Sequence, residues 1–322
     1  MRRLTYSEFQ KERLKFESDV TDCDYLARFC SMLPWQSAAY EHLHGFDFGV
    51  QEPGESLIVE QDGCWLVFTE RSDHVFFPFE SAWMFGCPLI GDPVGAVELL
   101  ETACREYLGT GFGFVISGVL RDSEFHRALL QLAERSLRYE EFATTDCLTV
   151  DLSQGIDAFL QRRSKSFRKG IRQMKVVDGL EFEDASKELP EEVFRRIFDI
   201  QARTYKAKEG ADIFSDHRYE RFYRNLYQRL FDIDSIRTIF AKIDDRDVAY
   251  IMGGVSQGIY RGFQMSYDND YRKLALGNRL QLKNMSDRYD EGISLYDLGM
   301  HSEYKERWAD HWDSYRGVFV VL

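Results

Sequence analysis

No apolar run in this chain approaches the ~18–20 residues that a membrane-spanning helix needs. The longest candidate, Ala82 to Ile90, is broken by Gly86 and Pro88. No apolar stretch follows the opening Met-Arg-Arg-Leu-Thr-Tyr-Ser-Glu, so a signal peptide is not expected. The six cysteines (Cys23, Cys30, Cys64, Cys87, Cys104, Cys147) form no C-x-x-C pair, which argues against a disulfide framework or a metal site. A reducing cytoplasm is the expected compartment. The chain also lacks positive charge overall. Its net charge of −13 argues for solubility and against a general affinity for nucleic acid. Low-complexity linkers are missing too.

What is present is apolar and aromatic. Hydrophobic residues make up 44% of the 322 residues, with 25 Phe and 17 Tyr. That is ample for two folded cores and excludes disorder. The first half mixes strands and helices. Leu57–Gln61 and Cys64–Thr69 flank Asp62-Gly63, the signature of a hairpin. His74–Phe79, Phe112–Val119 and Thr145–Leu152 read as further strands. Val94–Leu108, closed by Gly109, and Asp122–Arg138 read as helices. The Gly/Pro-punctuated segment Trp83–Pro93 reads as core packing, with an acceptor pocket as the alternative. His42 and His44 fit no motif and receive no role.

In the second half, Phe159, Phe167, Ile171 and Met174 supply a helical stripe. Pro190, followed by Glu191 and Glu192, opens a helix, and His217–Leu230 is another. Ile236–Ile243, Val248–Val255 and Ile259–Tyr267 read as three strands. A helix from Gly277 to Glu291, a strand Ile293–Leu298, a short helix over 303–311 and a last strand Gly317–Leu322 complete the pattern. The fold class is α/β with mixed sheets.

The most telling stretch runs from Gln264 to Trp308. It reads as a strand, a turn into a helix N-terminus, the helix, a second strand and a short helix that opens with Tyr304-Lys305. A helix start beside a strand is an anion site, because unpaired N–H groups and the helix dipole point at one place. A Tyr and a Lys delivered from the next strand could act on whatever the anion anchors.

Tyr267-Asp268, Gly277, Tyr296-Asp297-Leu298-Gly299 and Tyr304-Lys305-x-x-Trp308 resemble the C-terminal signature of double-domain GNAT-like acyltransferases. That group includes the CelD-type acetyltransferase-like proteins and the Fem transferases that build peptidoglycan bridges. The resemblance covers about residues 150–312. It implies two tandem GNAT-like domains: 1–150 on the acceptor side and 151–315 as the catalytic domain. It places the transfer site in the second domain or between the two. Residues 316–322 form a strand that can cross back to complete the first domain's sheet.

The resemblance also implies roles. Arg272-Lys-Leu-Ala275-Leu-Gly277 stands where GNAT enzymes carry a phosphate-cradling Arg/Gln-x-x-Gly-x-Gly/Ala loop, here with Ala at the first small position. Arg272, Lys273, Ala275, Leu276, Gly277, Asn278 and Arg279 are thus the expected acyl-coenzyme A contacts. Amide formation needs an amine that loses a proton, a stabilised oxyanion and a protonated leaving group. Tyr304 fits the acid. Lys305 fits the point charge, matching a Lys at the active site of Fem-type enzymes. Asp297 or Glu303 is the candidate base, with His301 in the same loop; Asp297 reads equally well as a turn acid. Tyr267 and Trp308 are candidate substrate contacts. Asp268 is read first as a turn residue and then as a substrate ligand.

The segment Gln161–Lys175 holds seven basic residues and no acid. Arg162, Lys165, Lys169 and Arg172 would share one helical face. Such a stripe, with Arg168 and Arg172 as contacts, suits a phosphate-rich ligand. The expected activity is N-acylation of a small amine-bearing acceptor by an acyl-coenzyme A such as acetyl-coenzyme A, with no metal. An aminoacyl-tRNA is the alternative donor, and a non-catalytic binding protein the third reading.

Overall fold

The computed structural model describes residues 1–23, 28–43, 54–72, 74–144, 146–210 and 212–322, so His44 and Thr145 lie outside the described residues. The chain divides into two compact units, Met1–Asp146 with Asp313–Leu322, and Cys147–Trp312.

The first unit contributes β1 (Arg2–Leu4), β2 (Ser56–Gln61), β3 (Cys64–Ser72), β4 (Val75–Pro78), β5 (Leu89–Ile90), β6 (Gly113–Leu120) and β7 (Arg138–Ala143). The β2–β3 turn places Asp62 at φ 52° and Gly63 at φ 79°. These are the left-handed conformations that a two-residue hairpin of the primed type requires, and Asp-Gly tolerates them. Helices Pro93–Ala103 and Glu124–Ala133 start from Asp92 and Ser123, whose side chains accept from Gly95 N and His126 N. Phe9, Phe16, Trp65, Phe68, Leu100, Phe114 and Leu129 form the core. The Trp83–Pro93 segment is pinned to it. Fully buried Glu80 accepts hydrogen bonds from the N–H groups of Trp83, Met84 and Phe85 at 2.6, 3.3 and 2.9 Å.

The second unit contributes β8 (Cys147–Asp151), β9 (Leu180–Asp184), β10 (Ile236–Ile243), β11 (Arg246–Ser256), β12 (Ile259–Tyr267), β13 (Leu295–Met300) and β14 (His311–Asp313). Their order is β14-β8-β13-β12-β11-β10-β9. The β12–β13 pair is parallel, while the other registered neighbours are antiparallel. The last strand, β15 (Tyr315–Val321), lies in the first sheet. It is antiparallel to both β6 and β7 and separates them.

Two local expectations are corrected. The basic stripe does not lie on one helix. Helix Gly155–Arg162 ends at extended Arg163, and Ser164 caps a second helix, Lys165–Arg172, by accepting from Phe167 N. Arg163 reaches Asp310 and the carbonyl of Trp308, and Arg162 also pairs with Asp310. The break therefore splits the stripe and leaves Arg162 out of it. The helix expected over 303–311 spans only Glu303–Glu306, because Trp308 turns into the core and His311–Asp313 joins the sheet. Trp308 stacks on Phe159 (centroids 6.1 Å, 8°) and meets Phe167 edge-on at 5.0 Å.

Candidate functional site

Parallel β12 and β13 pair only through Ile259–Arg261 and Leu295–Asp297. No pairing joins their remaining residues, so the strands part beyond Arg261 and Asp297. Gly299, at φ 82°, follows a bulge in β13. A Cβ there would meet Gly262 O at an ordinary 3.4 Å, so it is the positive φ rather than space that favours glycine at the point of divergence. β12 is a central strand, yet Gly262, Phe263, Gln264 and Met265 are all half-exposed. Nothing in the second unit fully covers this stretch.

Helix Leu276–Asp290 begins beside it. Ala275 precedes the helix at φ 52°, ψ 39° and supplies no side-chain cap. The first small position of the loop thus adopts a left-handed conformation that glycine would hold more cheaply. The first-turn N–H groups keep their partial positive charge without a side-chain acceptor. Gly277 is buried, and a Cβ there would lie 3.5 Å from Met265 Cε and 3.8 Å from Tyr304 Oη. The structure therefore brings Tyr304 directly over the helix start. The Tyr304 hydroxyl is buried and makes no hydrogen bond of normal geometry among the described residues. Burial pushes its pKa well up, so it stays protonated at neutral pH.

Lys305 is half-buried and donates to Met300 O at 2.9 Å. Burial, with repulsion from Arg261 and Lys206 only partly offset by Asp297 and Cys147, pulls its pKa down to about 8. Asp297 has both oxygens engaged. Oδ2 accepts from Arg261 Nη1 at 2.5 Å, and Oδ1 accepts from Gly299 N at 2.7 Å. It serves as counter-charge to a buried arginine and shapes the strand end. Cys147 Sγ lies 3.6 Å from the same guanidinium nitrogen. Glu303 is exposed, and His301 binds Glu306 at 2.6 Å.

The other named residues separate into groups. Arg272 and Lys273 are exposed on the turn before the helix, and Asn278 is half-buried in its first turn. Leu276 packs in the core with Ile251 and Leu280, and Tyr267 packs against that cluster. Arg279 spends its guanidinium on the carbonyls of Leu274 and Lys175. Asp268 is buried and holds Arg203 at 2.7 Å, Arg246 at 3.1 Å and Asp270 N at 3.0 Å. That makes it a hub of the turn. Arg168 donates to Gln161 O, Arg172 is exposed, and Trp308 belongs to the core.

Sequence reasoning missed Lys206, Arg261, Met265 and Cys147. Only an Arg in an apolar strand (Arg261) carried any local signal. Among the described residues no cluster of His, Cys, Asp and Glu could hold a metal, and no helix is long and apolar enough to cross a membrane.

Residues 161–306 match the family model of the acetyltransferase (GNAT) domain. No curated protein matches the sequence. Among solved structures, FemX is similar over 98% of this chain and 97% of its own, at 11% identity and a TM-score of 0.65. A conserved protein of unknown function from Bacteroides thetaiotaomicron VPI-5482 is similar over 97% of each chain, at 10% identity and a TM-score of 0.64. A tandem GNAT protein from the clavulanic acid biosynthesis pathway is similar over 99% and 97%, at 12% identity and a TM-score of 0.51. These likenesses establish the tandem fold across nearly the whole chain.

Proposed function

We propose that this chain, whose residues 161–306 match the acetyltransferase (GNAT) domain and whose fold resembles that of tandem GNAT proteins, is an acyltransferase that joins the acyl group of an acyl-coenzyme A to a small amine by direct attack. The observation that carries this reading is the meeting of Gly277 and Tyr304 at an uncapped helix start, where β12 and β13 part. Phosphate oxygens suit the first-turn N–H groups, and Gly277 leaves room for their approach. The amide-bearing arm of coenzyme A suits the gap between the strands, where backbone groups lack strand partners.

The amine nitrogen then forms a bond to the thioester carbonyl carbon. The tetrahedral intermediate collapses by breaking the C–S bond. The proton that the amine loses completes the leaving thiol, and the neutral Tyr304 hydroxyl donates a hydrogen bond to that sulfur. Protonated Lys305 stabilises the negative charge that develops. Asp297 acts indirectly, by holding Arg261 and Gly299, and exposed Glu303 is the remaining candidate base.

Calorimetric titration with acetyl-coenzyme A tests the reading. Micromolar binding that Gly277→Glu abolishes supports it, because the longer side chain would meet Met265 and Tyr304 and place a carboxylate among the phosphates. No binding at millimolar ligand overturns it.

One observation favours an aminoacyl-tRNA donor instead. Lys165, Lys169, Arg172 and Lys175 are exposed and make no ion pair among the described residues. A tRNA donor would lose affinity steeply with salt, and coenzyme A would not.

A further inference from the structure

Lys206 lies in the short helix Tyr205–Lys208, which Thr204 caps. Its side chain turns inward. Nζ sits 3.5 Å from both Met265 O and Ser266 Oγ, on half-exposed β12. The Met265 side chain in turn touches the space at Gly277 beside Tyr304. A single strand thus separates Lys206 from the helix start.

Lys206 makes no ion pair among the described residues. The acid closest in influence is Asp212, whose Oδ1 accepts from Gln201 Nε2 and Phe214 N. The other cations of the region are Arg261, matched by Asp297, and Lys305, which feels the charge of Lys206. Two ammonium groups of the second unit, Lys206 against β12 and Lys305 beyond the end of β13, therefore make no ion pair among the described residues. Desolvating a lysine is costly unless an anion compensates. In a chain of net charge −13 the two acids that act on these lysines, Asp212 and Asp297, are held by other partners: Gln201 and Phe214 N for one, Arg261 and Gly299 N for the other.

We propose that the acceptor is a carboxylate-bearing amine of the amino-acid class, and that Lys206 binds its carboxylate. The carboxylate on Lys206 directs the amine along β12 toward the thioester carbonyl beside Lys305. Gln264, whose amide donates to Tyr223 Oη at 3.1 Å, lines the same stretch. This inference rests on the acyltransferase reading above.

The test uses the full chain with acetyl-coenzyme A and matched acceptor pairs: amino acids, and the same amines lacking the carboxylate. Thiol release reports turnover, and calorimetry reports donor binding separately. The expected result is turnover with carboxylate-bearing amines and a KM at least about tenfold higher for their decarboxylated partners. Lys206→Met should raise KM for the amino acid about 10- to 100-fold, far more than it lowers kcat. It should erase the preference within each pair and leave donor affinity unchanged. Lys206→Arg should restore part of the preference.

Calorimetry with an N-acetyl amino acid gives a second readout, as its binding should require Lys206. Equal use of both members of a pair, a better response to phosphoethanolamine than to amino acids, or unchanged KM in Lys206→Met overturns the inference. So does absence of transfer to either class while donor binds. Loss of donor binding itself instead sinks the underlying acyltransferase reading, and this inference with it.

Discussion

Replacing Lys305 with Met should remove activity and change how stability depends on pH. Burial and the neighbouring cations lower the Lys305 pKa from 10.5 to about 8. Between these values the unfolded chain binds a proton that the folded protein does not. Wild-type stability therefore rises with pH across that window, and below about 8 the folded state carries the full cost of the buried ammonium. A drop of this size corresponds to roughly 3 kcal/mol at neutral pH. Lys305 is only half-buried, so solvent screening reduces this to about 1–2 kcal/mol. The Met variant also loses the hydrogen bond to Met300 O, about 1 kcal/mol at any pH where it forms. At pH 7 the variant should match wild type or exceed it slightly. By pH 10.5 the wild type should have gained about 1–2 kcal/mol relative to the variant. Urea unfolding at both pH values, compared through midpoints at constant m, measures the difference. Thiol release with a working acceptor should fall about 10²–10³-fold. A stability difference that does not move with pH would refute the desolvated ammonium, and so the charge that Lys305 is said to supply.

Tyr304→Phe should keep or slightly raise stability, because the buried hydroxyl makes no hydrogen bond of normal geometry among the described residues. It should lower kcat about 10²-fold at nearly unchanged donor affinity; steady-state kinetics would reveal a structural role if stability fell instead. Ala275→Gly should stabilise the protein by about 1 kcal/mol in thermal unfolding by relieving the left-handed alanine, and a loss of stability would contradict the loop conformation. Asp297→Ala strands the buried Arg261 and should cost about 3 kcal/mol. If Asp297→Ala kept full stability and lost only turnover, the acid would be a base after all.

Much of the fold was legible because it rests on local chemistry. The Asp62-Gly63 hairpin, the three-strand run from Ile236 to Tyr267 and the helix after Gly277 each carry their own turn residues and periodicity. The returning strand was suggested by resemblance and lies between β6 and β7. What was not legible is non-local. The break at Arg163-Ser164 depends on Asp310, far along the chain, although Ser164 was a visible cap. Trp308 looks like a motif member in sequence, but Phe159 and Phe167 make it core. Lys206 stands in Thr-Tyr-Lys-Ala-Lys, indistinguishable from a surface lysine until β12 is placed against it. The pairing of Arg261 with Asp297 likewise emerges only from the register of two strands that are 36 residues apart.

The position of β15 bears on how the protein is made. Among the described residues strand β7 pairs only with β15, and β6 relies on β15 for one of its two edges. A ribosome delivers these last residues only after the whole second unit has been translated, a wait on the order of ten seconds at ~5–20 residues per second. Through that interval the apolar strand Gly113–Leu120 presents an open edge, the kind of template on which nascent chains pair wrongly. A premature stop before Tyr315 would spare every candidate site residue and still leave the first unit's sheet without the strand between β6 and β7.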